Sequence, residues 1–318
     1  MQSKILITGG AGFIGSNLCD YLVNSQNYKV ICLDNFDDYY DKNIKINNIK
    51  NLINSNNFEF HKMDIFESDK LELLFKNHDI STIIHLAARP GVRASIDNPI
   101  KVLNNNIIGT VKLLEVVKNK NLKKFIFASS SSVYGNNMKP PFKETDAIIS
   151  QVSQYASSKI SGESICSVYS SLYSIPIICL RFFTVYGPRQ RPDMAFYKFF
   201  KSAFENKEIE IYGDGSSYRD YTYIDDILDG IYSAMDLDTK FEIFNLGNSV
   251  IHSLTEIINI IDEIFNNQLK IKRLPFQKGD VNYTHSDISK ARKILNFNPK
   301  TNIRTGLNKF KDWFESNL

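Results

Sequence analysis

Short apolar runs rich in β-branched residues alternate with longer segments along the first half of the chain. Each run has the length of one strand, and each intervening segment is long enough for a helix. This alternation is typical of βαβ units, in which helices cover both faces of a parallel sheet. The pattern predicts an α/β fold with a doubly wound parallel sheet whose strands include Lys4–Thr8, Lys29–Asp34, Thr82–Ala87, Lys124–Ser129 and Pro176–Arg181.

Longer segments between these runs have apolar residues at helical spacing. Asn104–Asn121 places Ile107 and Val111 on one face, and Tyr155–Tyr173 shows the same period. The stretch Lys42–Asn57 is rich in Lys and Asn, but its isoleucines also recur at helical spacing. All three segments are predicted to be helices.

The residue pattern changes after residue 181, where glycines and prolines separate shorter predicted strands and helices. We expect residues 1–180 to form one domain, to which a segment near 220–250 returns. Residues 181–318 are expected to form a smaller, discontinuous, mixed α/β domain. Because no flexible linker separates the two parts, they should share a cleft.

The composition is that of an ordinary folded chain. Of 318 residues, 43% are hydrophobic and 23% are charged, which excludes global disorder. The 38 Lys and Arg residues outnumber the 35 Asp and Glu residues by three, for a net charge of +3. So small a charge, without a local basic patch, predicts neither a nucleic-acid nor a membrane partner.

The sequence shows no targeting or metal-binding pattern. No apolar run is long enough to cross a bilayer, and the apolar stretch near the N-terminus is short and cut by glycines. We therefore expect a cytoplasmic protein. The cysteines lack CxxC spacing, which favours buried reduced thiols over a zinc site or a disulfide scaffold; they are Cys19, Cys32, Cys166 and Cys179.

The first predicted strand runs directly into a glycine-rich loop. Gly9, Gly12 and Gly15 follow a G-x-x-G-x-x-G spacing, with Phe13 and Ile14 between the last two. Such a loop at a helix N-terminus lets backbone N–H groups approach a pyrophosphate. Three glycines alone also fit a structural tight turn, so the neighbouring strands must decide.

An acidic residue ends the second predicted strand. In dinucleotide-binding domains, an acidic residue at this sequence spacing after the glycine loop accepts hydrogen bonds from the hydroxyls of the adenosine ribose. Asp34 lies at this spacing. Asn35, Asp37 and Asp38 come next with no arginine, and this acidic run would repel a 2′-phosphate. The pattern favours NAD over NADP, while the alternative for Asp34 is a strand-end cap.

The next strand-like run ends at Asp64, which Ile65 follows. These residues are candidates for contact with an adenine, and a turn facing solvent fits Asp64 as well. Three strand ends that carry nucleotide-binding signals predict that residues 1–180 form a dinucleotide-binding Rossmann domain. Residues 181–318 are then expected to be the substrate domain.

A tyrosine and a lysine lie one helical turn apart, on one face of a predicted helix. The pair is Tyr155 and Lys159. In such a pair the lysine ammonium stabilises the tyrosine phenolate and so lowers the pKa of the tyrosine. The pair alone is common on protein surfaces. However, Ser130 directly follows a predicted strand, and strand ends line the ligand crevice of a doubly wound sheet. Ser130, Tyr155 and Lys159 are therefore the candidate catalytic residues.

Jointly these features resemble the extended short-chain dehydrogenase/reductases, and within them the NAD-dependent nucleotide-sugar epimerases and dehydratases. The resemblance covers essentially the whole chain. Its further motifs are HLAARPGVRAS from His85, NNNIIGT from Asn104, SSVYG from Ser131 and YRDYTYIDD from Tyr218.

This resemblance implies a bound NAD and assigns roles to the candidate residues. Tyr155 would be the general base for a sugar hydroxyl, Ser130 would orient that hydroxyl, and Lys159 would also hold the nicotinamide ribose. His85 is expected to be a core histidine rather than a catalyst. Further cofactor contacts are expected from residues in the family motifs, namely Leu86, Ala87, Ala88 and Asn106.

The two residues after Ser130 bear on the reaction type. Dehydratases of the family resemble Thr-Asp-Glu at this point, and UDP-xylose synthases carry a glutamate at the position of Ser132. This chain has Ser131 and Ser132 instead. Elimination of water needs an extra acid–base pair, whereas epimerisation needs one base, so the serines favour an epimerase.

The run RFFTVYGPRQRPDMA from Arg181 is similar to that of the UDP-glucuronate 4-epimerases. In that family the arginine matching Arg191, with the hydroxyls matching Thr184, Ser131 and Ser132, faces the C6 carboxylate. A guanidinium gives a charge-assisted contact that a neutral CH2OH leaves unmatched. From the residues alone, Arg191 also fits a diphosphate contact or a surface charge.

Four further residues are candidates for binding a UDP-sugar. Arg219 looks like the family's diphosphate arginine, and Asp280 matches a contact to the uridine ribose. Gln277 lies in LPFQKGDV, which resembles a second phosphate-binding segment. Arg93 is expected to line the sugar pocket, with a surface charge at a helix start as the alternative.

The resemblance as a whole implies an NAD-dependent UDP-sugar 4-epimerase that interconverts UDP-glucuronate and UDP-galacturonate through a 4-keto intermediate. The alternative is a 4-epimerase of a neutral UDP-sugar, in which Arg191 contacts phosphate. A non-catalytic NAD-binding protein is disfavoured because Ser130, Tyr155 and Lys159 are all present. The helices predicted at 104–121 and 155–173 resemble a pair that forms a four-helix interface, so we expect a homodimer.

Overall fold

The apolar runs form strands that are buried along almost their whole length. The computed structural model describes residues 4–266, 268–275 and 282–317. The strands of this part are β1 Lys4–Thr8, β2 Lys29–Asp34, β3 Phe58–Lys62, β4 Ile80–His85, β5 Lys124–Ser130, β6 Ile177–Phe182, β7 Thr184–Tyr186, β8 Glu208–Tyr212, β9 Tyr218–Tyr223, β10 Phe241–Leu246, β11 Ile251–Ser253 and β12 Lys270–Leu274.

Seven of these strands form one parallel sheet, in the order β10-β6-β5-β4-β1-β2-β3. The chain moves outward from β1 in both directions, which is the doubly wound arrangement of a Rossmann fold. The predicted fold class is confirmed. β4 begins and ends two residues before the predicted run, and β6 begins after Pro176, because proline has no N–H to donate to a neighbouring strand.

Helices follow most of the strands and cover the sheet. They are α1 Phe13–Asp20, α2 Lys42–Ile49, α3 Ser68–Asn77, α4 Val92–Asp97, α5 Pro99–Leu103, α6 Gly109–Val117, α7 Gln154–Tyr173, α8 Ala195–Phe204, α9 Ile224–Met235, α10 Leu254–Ile264, α11 Ser289–Leu295 and α12 Ile303–Glu315. Single π turns cover Tyr21–Ser25 and Asn104–Ile108, and a 3-10 turn covers Ser131–Tyr134.

Alternate residues of the central strands pack on opposite faces of the sheet. In β1, Ile5 and Ile7 join an apolar core that includes Leu18 of α1, whereas Leu6 joins a second core with Leu113 of α6. The first core continues into the C-terminal elements, where α8, α10 and α12 contribute apolar side chains. The first core therefore contains side chains from both halves of the chain.

Two smaller sheets lie outside the central one. β9 pairs with β7 in parallel and with β11 in antiparallel orientation, and β12 pairs with β8 in parallel. β10 lies between β9 and β11 in the chain but belongs to the central sheet. The segment after residue 181 thus forms the two smaller sheets and also contributes β10 to the central sheet.

The helix predicted at 42–57 is shorter than expected. The Asp41 side chain accepts a hydrogen bond from the backbone N–H of Asn43 and starts α2, which ends at Ile49. Ile49 is buried, but Ile46 and Ile53 are largely exposed. Because only part of the predicted apolar face finds a partner, the last residues form turns instead of a helix.

The other predicted helices and the cysteines agree better with the structure. α7 matches the helix predicted at 155–173, and the Ser153 side chain caps it by accepting from the backbone N–H of Ala156. The helix predicted at 104–121 begins as a π turn and continues as α6. All four cysteines are buried and unbridged. Within the described ranges, no helix is both long and apolar enough to span a bilayer.

Candidate active site

The glycine-rich loop closes tightly between β1 and α1. Gly9 has a φ of +69°, and a Cβ there would lie 2.8 Å from the backbone nitrogen of Ala87. A Cβ on Gly15 would lie 2.3 Å from the carbonyl oxygen of Gly9. These two positions need glycine, and the close packing brings the N-terminus of α1 to the edge of a cavity.

Asp34 lies at the carboxyl end of β2, beside the loop. One carboxylate oxygen accepts from the backbone N–H of Ala11 at 3.1 Å and the other from that of Phe36 at 2.8 Å. Burial raises the pKa of Asp34, although the ammonium of Lys45, 3.9 Å away, opposes the rise. Asp34 therefore caps the strand end, as the alternative interpretation expected, and also faces the cavity.

The neighbouring strand end continues this wall. Asn35 donates a hydrogen bond to the Asp64 carboxylate at 2.7 Å, which joins the ends of β2 and β3. Asp64 also accepts from the backbone N–H of Phe66 at 2.9 Å. Ile65 lies in the cavity wall between these polar groups.

The cavity extends along the carboxyl ends of the central strands. From β2 to β5 it crosses three strand spacings of about 4.8 Å each, or roughly 14 Å. One end has carboxylates, the middle has the glycine loop and the N-terminus of α1, and the other end has Tyr155 and Lys159. These residues fit a dinucleotide, with ribose hydroxyls on the carboxylates and a pyrophosphate at the helix N-terminus.

At the far end, Ser130, Tyr155 and Lys159 lie together. Lys159 is buried, donates a hydrogen bond to the carbonyl oxygen of Ala128 at 2.7 Å, and lies 5.8 Å from the centre of the Tyr155 ring. Burial lowers the pKa of Lys159 to about 8. Burial also raises the pKa of Tyr155, against the neighbouring Ser130 hydroxyl and the positive charge of Arg191, which both favour the phenolate.

Arg191 lies in the same wall as Tyr155. Its Nε and Nη2 donate to the two carboxylate oxygens of Asp193, each at 2.9 Å. Burial lowers the pKa of the guanidinium, but Asp193 more than compensates, so the pKa is raised. The site therefore combines a base candidate and a permanently charged cation.

Comparison with known proteins places the chain in a family. A family model described as GDP-mannose 4,6 dehydratase matches residues 6–310. The chain belongs to this family. The predicted resemblance to NAD-dependent epimerases and dehydratases is confirmed.

Similar proteins of this family cover nearly the whole chain. An uncharacterised protein of Methanocaldococcus jannaschii is 45% identical over 99% of this chain and 97% of its own length. The UDP-glucuronate 4-epimerase of Thermodesulfobacterium geofontis is 40% identical over 98% of this chain and 96% of its own. The crystal structure of UDP-glucuronic acid 4-epimerase from Bacillus cereus, in complex with UDP-glucuronic acid and NAD, is 39% identical with a TM-score of 0.94, covering 99% of this chain and all of that one.

Most residues predicted to bind the cofactor or to take part in catalysis line the cavity at the strand ends. They are Gly9, Gly12, Phe13, Ile14, Gly15, Asp34, Asn35, Asp64, Ile65, Leu86, Ala87, Ala88, Tyr155, Lys159 and Arg191. Asn106 lies behind the wall, where its amide donates to the Arg89 carbonyl and the Ser158 hydroxyl, each at 3.0 Å. Asn105 lines the cavity in its place.

The other described residues predicted for the sugar and diphosphate are not among those that line the cavity. Ser131 and Ser132 begin the 3-10 turn after β5, and Thr184 begins β7. Arg93 stacks on the Tyr212 ring at 5.1 Å, and Arg219 donates to the Tyr218 carbonyl. Gln277 and Asp280 lie outside the described residues.

The sequence motifs did not identify a cluster of aromatic and charged residues after β2. Tyr39, Tyr40, Lys45 and Asp37 line the cavity, and Arg89 forms an ion pair with Asp37. The run of two aspartates and two tyrosines is a visible signal. However, its partners are distant in the chain, so the sequence alone does not give the arrangement.

His85 is a core histidine, as predicted. Its Nδ1 lies 2.7 Å from the Thr8 hydroxyl, and its Nε2 lies 3.0 Å from the Thr110 hydroxyl. Burial, with a smaller contribution from the charge of Lys159, lowers its pKa to about 3, so the ring is neutral.

A second group of titratable residues lies away from the cavity. Ligand atoms of Glu59, His61 and His78 lie within 4.8 Å of one another. The Lys4 ammonium lies 3.0 Å from Glu59 and 2.8 Å from Nδ1 of His78. The group is thus a salt-bridge cluster around a lysine, which already occupies the space between the carboxylate and the imidazole.

Proposed function

We propose that the protein is an NAD-dependent UDP-sugar 4-epimerase that interconverts UDP-glucuronate and UDP-galacturonate. The observation that carries the choice of sugar is Arg191, a half-buried cation in the wall that also holds Tyr155. C6 of the sugar is two bonds from C4, so a carboxylate on C6 can meet Arg191 while the C4 hydroxyl meets Tyr155. The similarity to two enzymes named for this activity supports the assignment.

Each catalytic candidate has a separate task. Bound NAD supplies what amino-acid side chains lack, a hydride acceptor and donor at C4 of the sugar. Tyr155 takes the proton of the C4 hydroxyl and later returns it to the same oxygen. Ser130, which lies beside Tyr155 at the end of β5, orients that hydroxyl. Lys159 places a positive charge near the ring, which favours the phenolate.

Inversion at C4 requires the 4-keto sugar to present its other face. The uridine diphosphate therefore has to stay anchored while the hexose turns, which calls for tight nucleotide contacts and looser sugar contacts. We place the nucleotide against the segments after residue 181, with Arg219 on the diphosphate. This division leaves the sugar between those segments and the strand ends.

Although the family is named for a dehydratase, the chain lacks the acids that elimination requires. Ser131 and Ser132 follow the Ser130 position, and neither hydroxyl replaces a carboxylate as a proton donor near neutral pH. One base, Tyr155, is sufficient for 4-epimerisation. The reaction we propose therefore leaves C5 untouched.

The test is a proton NMR experiment on UDP-glucuronate in D2O. We expect H4 to change from two large couplings to two small ones, as in a galacto sugar, with no deuterium entering C4 or C5. A dehydratase or a 5-epimerase would introduce solvent deuterium at C5. That result, or no conversion even with added NAD, would contradict the proposal.

Cofactor choice is expected to depend on Asp34. In Asp34→Asn the carboxylate that repels a 2′-phosphate is gone, so the ratio of NADP to NAD dissociation constants should fall by about tenfold or more. Calorimetric titration of cofactor-free protein measures both constants. Asp236→Asn, at an exposed carboxylate that pairs with Lys123 outside the cavity wall, is the control and should leave the ratio within about twofold. An unchanged ratio in Asp34→Asn would refute this role.

We further propose a homodimer formed through α5, the π turn at 104–108 and α7. Four apolar side chains are exposed along these adjoining elements, which is unusual for a surface in water; they are Ile100, Ile108, Val168 and Leu172.

The unbridged cysteines are typical of a reducing compartment, and we place the enzyme in the cytoplasm.

The double variant Ile100→Glu with Leu172→Glu should dissociate the dimer, because it puts four like charges into one apolar interface. Light scattering should then give the chain mass of 36.5 kDa, against twice that mass for the unaltered protein. Ile53→Glu, at an exposed isoleucine beyond α2, should leave the dimer intact. A monomer before any substitution would rule the interface out.

A further inference from the structure

Asp193 occupies only one side of the Arg191 guanidinium. It accepts from Nε–H and from one Nη2–H, each at 2.9 Å. The guanidinium has five N–H donors, so the edge formed by Nη1 and the second Nη2–H keeps a complete pair. A substrate carboxylate can bind this remaining edge without displacing Asp193.

A tyrosine from the other half of the chain fixes Asp193 in turn. The Tyr39 hydroxyl lies 3.2 Å from the Asp193 carboxylate, and its ring centre lies 5.8 Å from the Arg191 guanidinium. Burial, assisted by Asp193, raises the pKa of Tyr39 to about 12, so the hydroxyl stays protonated and donates. A Cβ on Gly91 would lie 2.7 Å from this hydroxyl, so the hydroxyl packs closely against the Gly91 backbone.

The charges of the group also favour a fixed geometry. Burial raises the pKa of Asp193, but the Arg191 guanidinium lowers it more, and the net pKa lies below the usual value. Both partners are therefore ionised at neutral pH. Two parallel charge-assisted hydrogen bonds hold the guanidinium in one plane, which a single contact would not do.

We propose that Asp193, held by Tyr39, is a positioning residue that sets the plane of Arg191 and thereby the plane of the substrate's C6 carboxylate. This inference rests on the proposed function. The way the carboxylate is held matters because the 4-keto intermediate is a β-keto acid, and the position of C6 sets the direction of the C5–C6 bond relative to the C4 carbonyl. If the C5–C6 bond aligns with the carbonyl π system, it breaks, and its electron pair moves onto the C4 oxygen as an enolate. Carbon dioxide then leaves, and C5 takes a proton from water.

A guanidinium locked in one plane holds the carboxylate, and with it C6, at one place beside the ring. This keeps the C5–C6 bond near the plane of the C4 carbonyl and out of that alignment. A guanidinium that rotates freely still attracts the carboxylate but no longer fixes its orientation. Loosening Arg191 should therefore change the ratio of the two products more than the overall rate. That ratio is a property of each active enzyme molecule, so a partial loss of folded protein does not alter it.

The test compares Asp193→Asn and Tyr39→Phe with the unaltered protein on UDP-glucuronate. Mass spectrometry counts decarboxylated UDP-pentose species, keto and reduced together, for each UDP-galacturonate formed. We expect this ratio to rise by about tenfold or more in Asp193→Asn, since a charge-assisted contact is lost, and by a smaller factor in Tyr39→Phe. Tyr39→Phe keeps the test decisive if Asp193→Asn folds poorly.

The matched control is Asp20→Asn. Asp20 forms an ion pair with Arg189, two residues before Arg191, so this change loosens the same loop without touching the guanidinium that faces the sugar. We expect an unchanged product ratio. An equal rise in Asp20→Asn, or no rise in both test variants while epimerisation continues, would overturn the inference. Failure of the unaltered protein to convert UDP-glucuronate would be a different result and would overturn the proposed function together with it.

Discussion

Tyr155→Phe is expected to lower the epimerisation rate by about a thousand-fold, the usual scale for loss of a general base. The variant keeps the ring and loses only the hydroxyl, so the packing around Lys159 should persist. We expect the thermal unfolding midpoint and the NAD released on denaturation to match those of the unaltered protein. Rates from proton NMR, with NAD measured by chromatography, check both expectations.

A matched control separates loss of the base from a general effect of removing a tyrosine hydroxyl. The Tyr21 hydroxyl donates to Asp229 at 3.0 Å and also has a pKa raised to about 12, chiefly by burial, but it lies outside the cavity wall. Tyr21→Phe should keep full activity. Undiminished turnover in Tyr155→Phe would refute the assignment of the base.

Arg191→Ala is expected to have the second largest effect. A hydrogen bond to a charged group contributes about 1.5–3 kcal/mol, so kcat/KM for UDP-glucuronate should fall roughly 10- to 100-fold or more. Without the guanidinium, the carboxylate of the 4-keto intermediate turns freely, and UDP-pentose by-products should appear. Mass spectrometry of the reaction mixture measures both products at once.

Arg191→Lys distinguishes charge from geometry. Lysine keeps the positive charge but offers no planar fork, so substrate affinity should recover in part while the by-product persists. If Arg191→Ala forms no by-product and loses no activity, the guanidinium does not hold the carboxylate, and its role in selecting the sugar is wrong.

The sequence predicts the cofactor end of the site well because its signals are local. Gly9 and Gly15 have to be glycines for steric reasons, and Asp34 directly ends a strand whose apolar run is evident. The strand ends of a parallel sheet meet at one edge, so three separate motifs point to one cavity. The spacing of Tyr155 and Lys159 within one helix is local as well.

The rest of the site depends on contacts that no local pattern encodes. Asp193 and Tyr39 lie 154 positions apart, and Arg89 and Asp37 lie 52 apart. Nothing near these residues in the sequence identifies the partner that the fold brings to them. The contacts of Arg191 with Asp193, and of Asp193 with Tyr39, are therefore evident only from the structure.

The structure places Asn105, and not the predicted Asn106, in the cavity wall. Both residues lie in the π turn at 104–108, where Asn106 donates to the Arg89 carbonyl and the Ser158 hydroxyl. The expectation for Asn106 came from the NNNIIGT motif, whose three consecutive asparagines do not show which of them faces the cavity.

The central claim, a 4-epimerase selective for a uronate, is tested most directly by a proton NMR time course on three substrates in parallel. UDP-glucuronate, UDP-glucose and UDP-N-acetylglucosamine are each incubated with purified protein, without added NAD, and the anomeric signals are followed. The account predicts that UDP-glucuronate alone is converted to a galacto-configured product. Conversion of only a neutral sugar would contradict the role of Arg191, and no conversion of any of the three, even after NAD is added, would contradict the assignment as an epimerase.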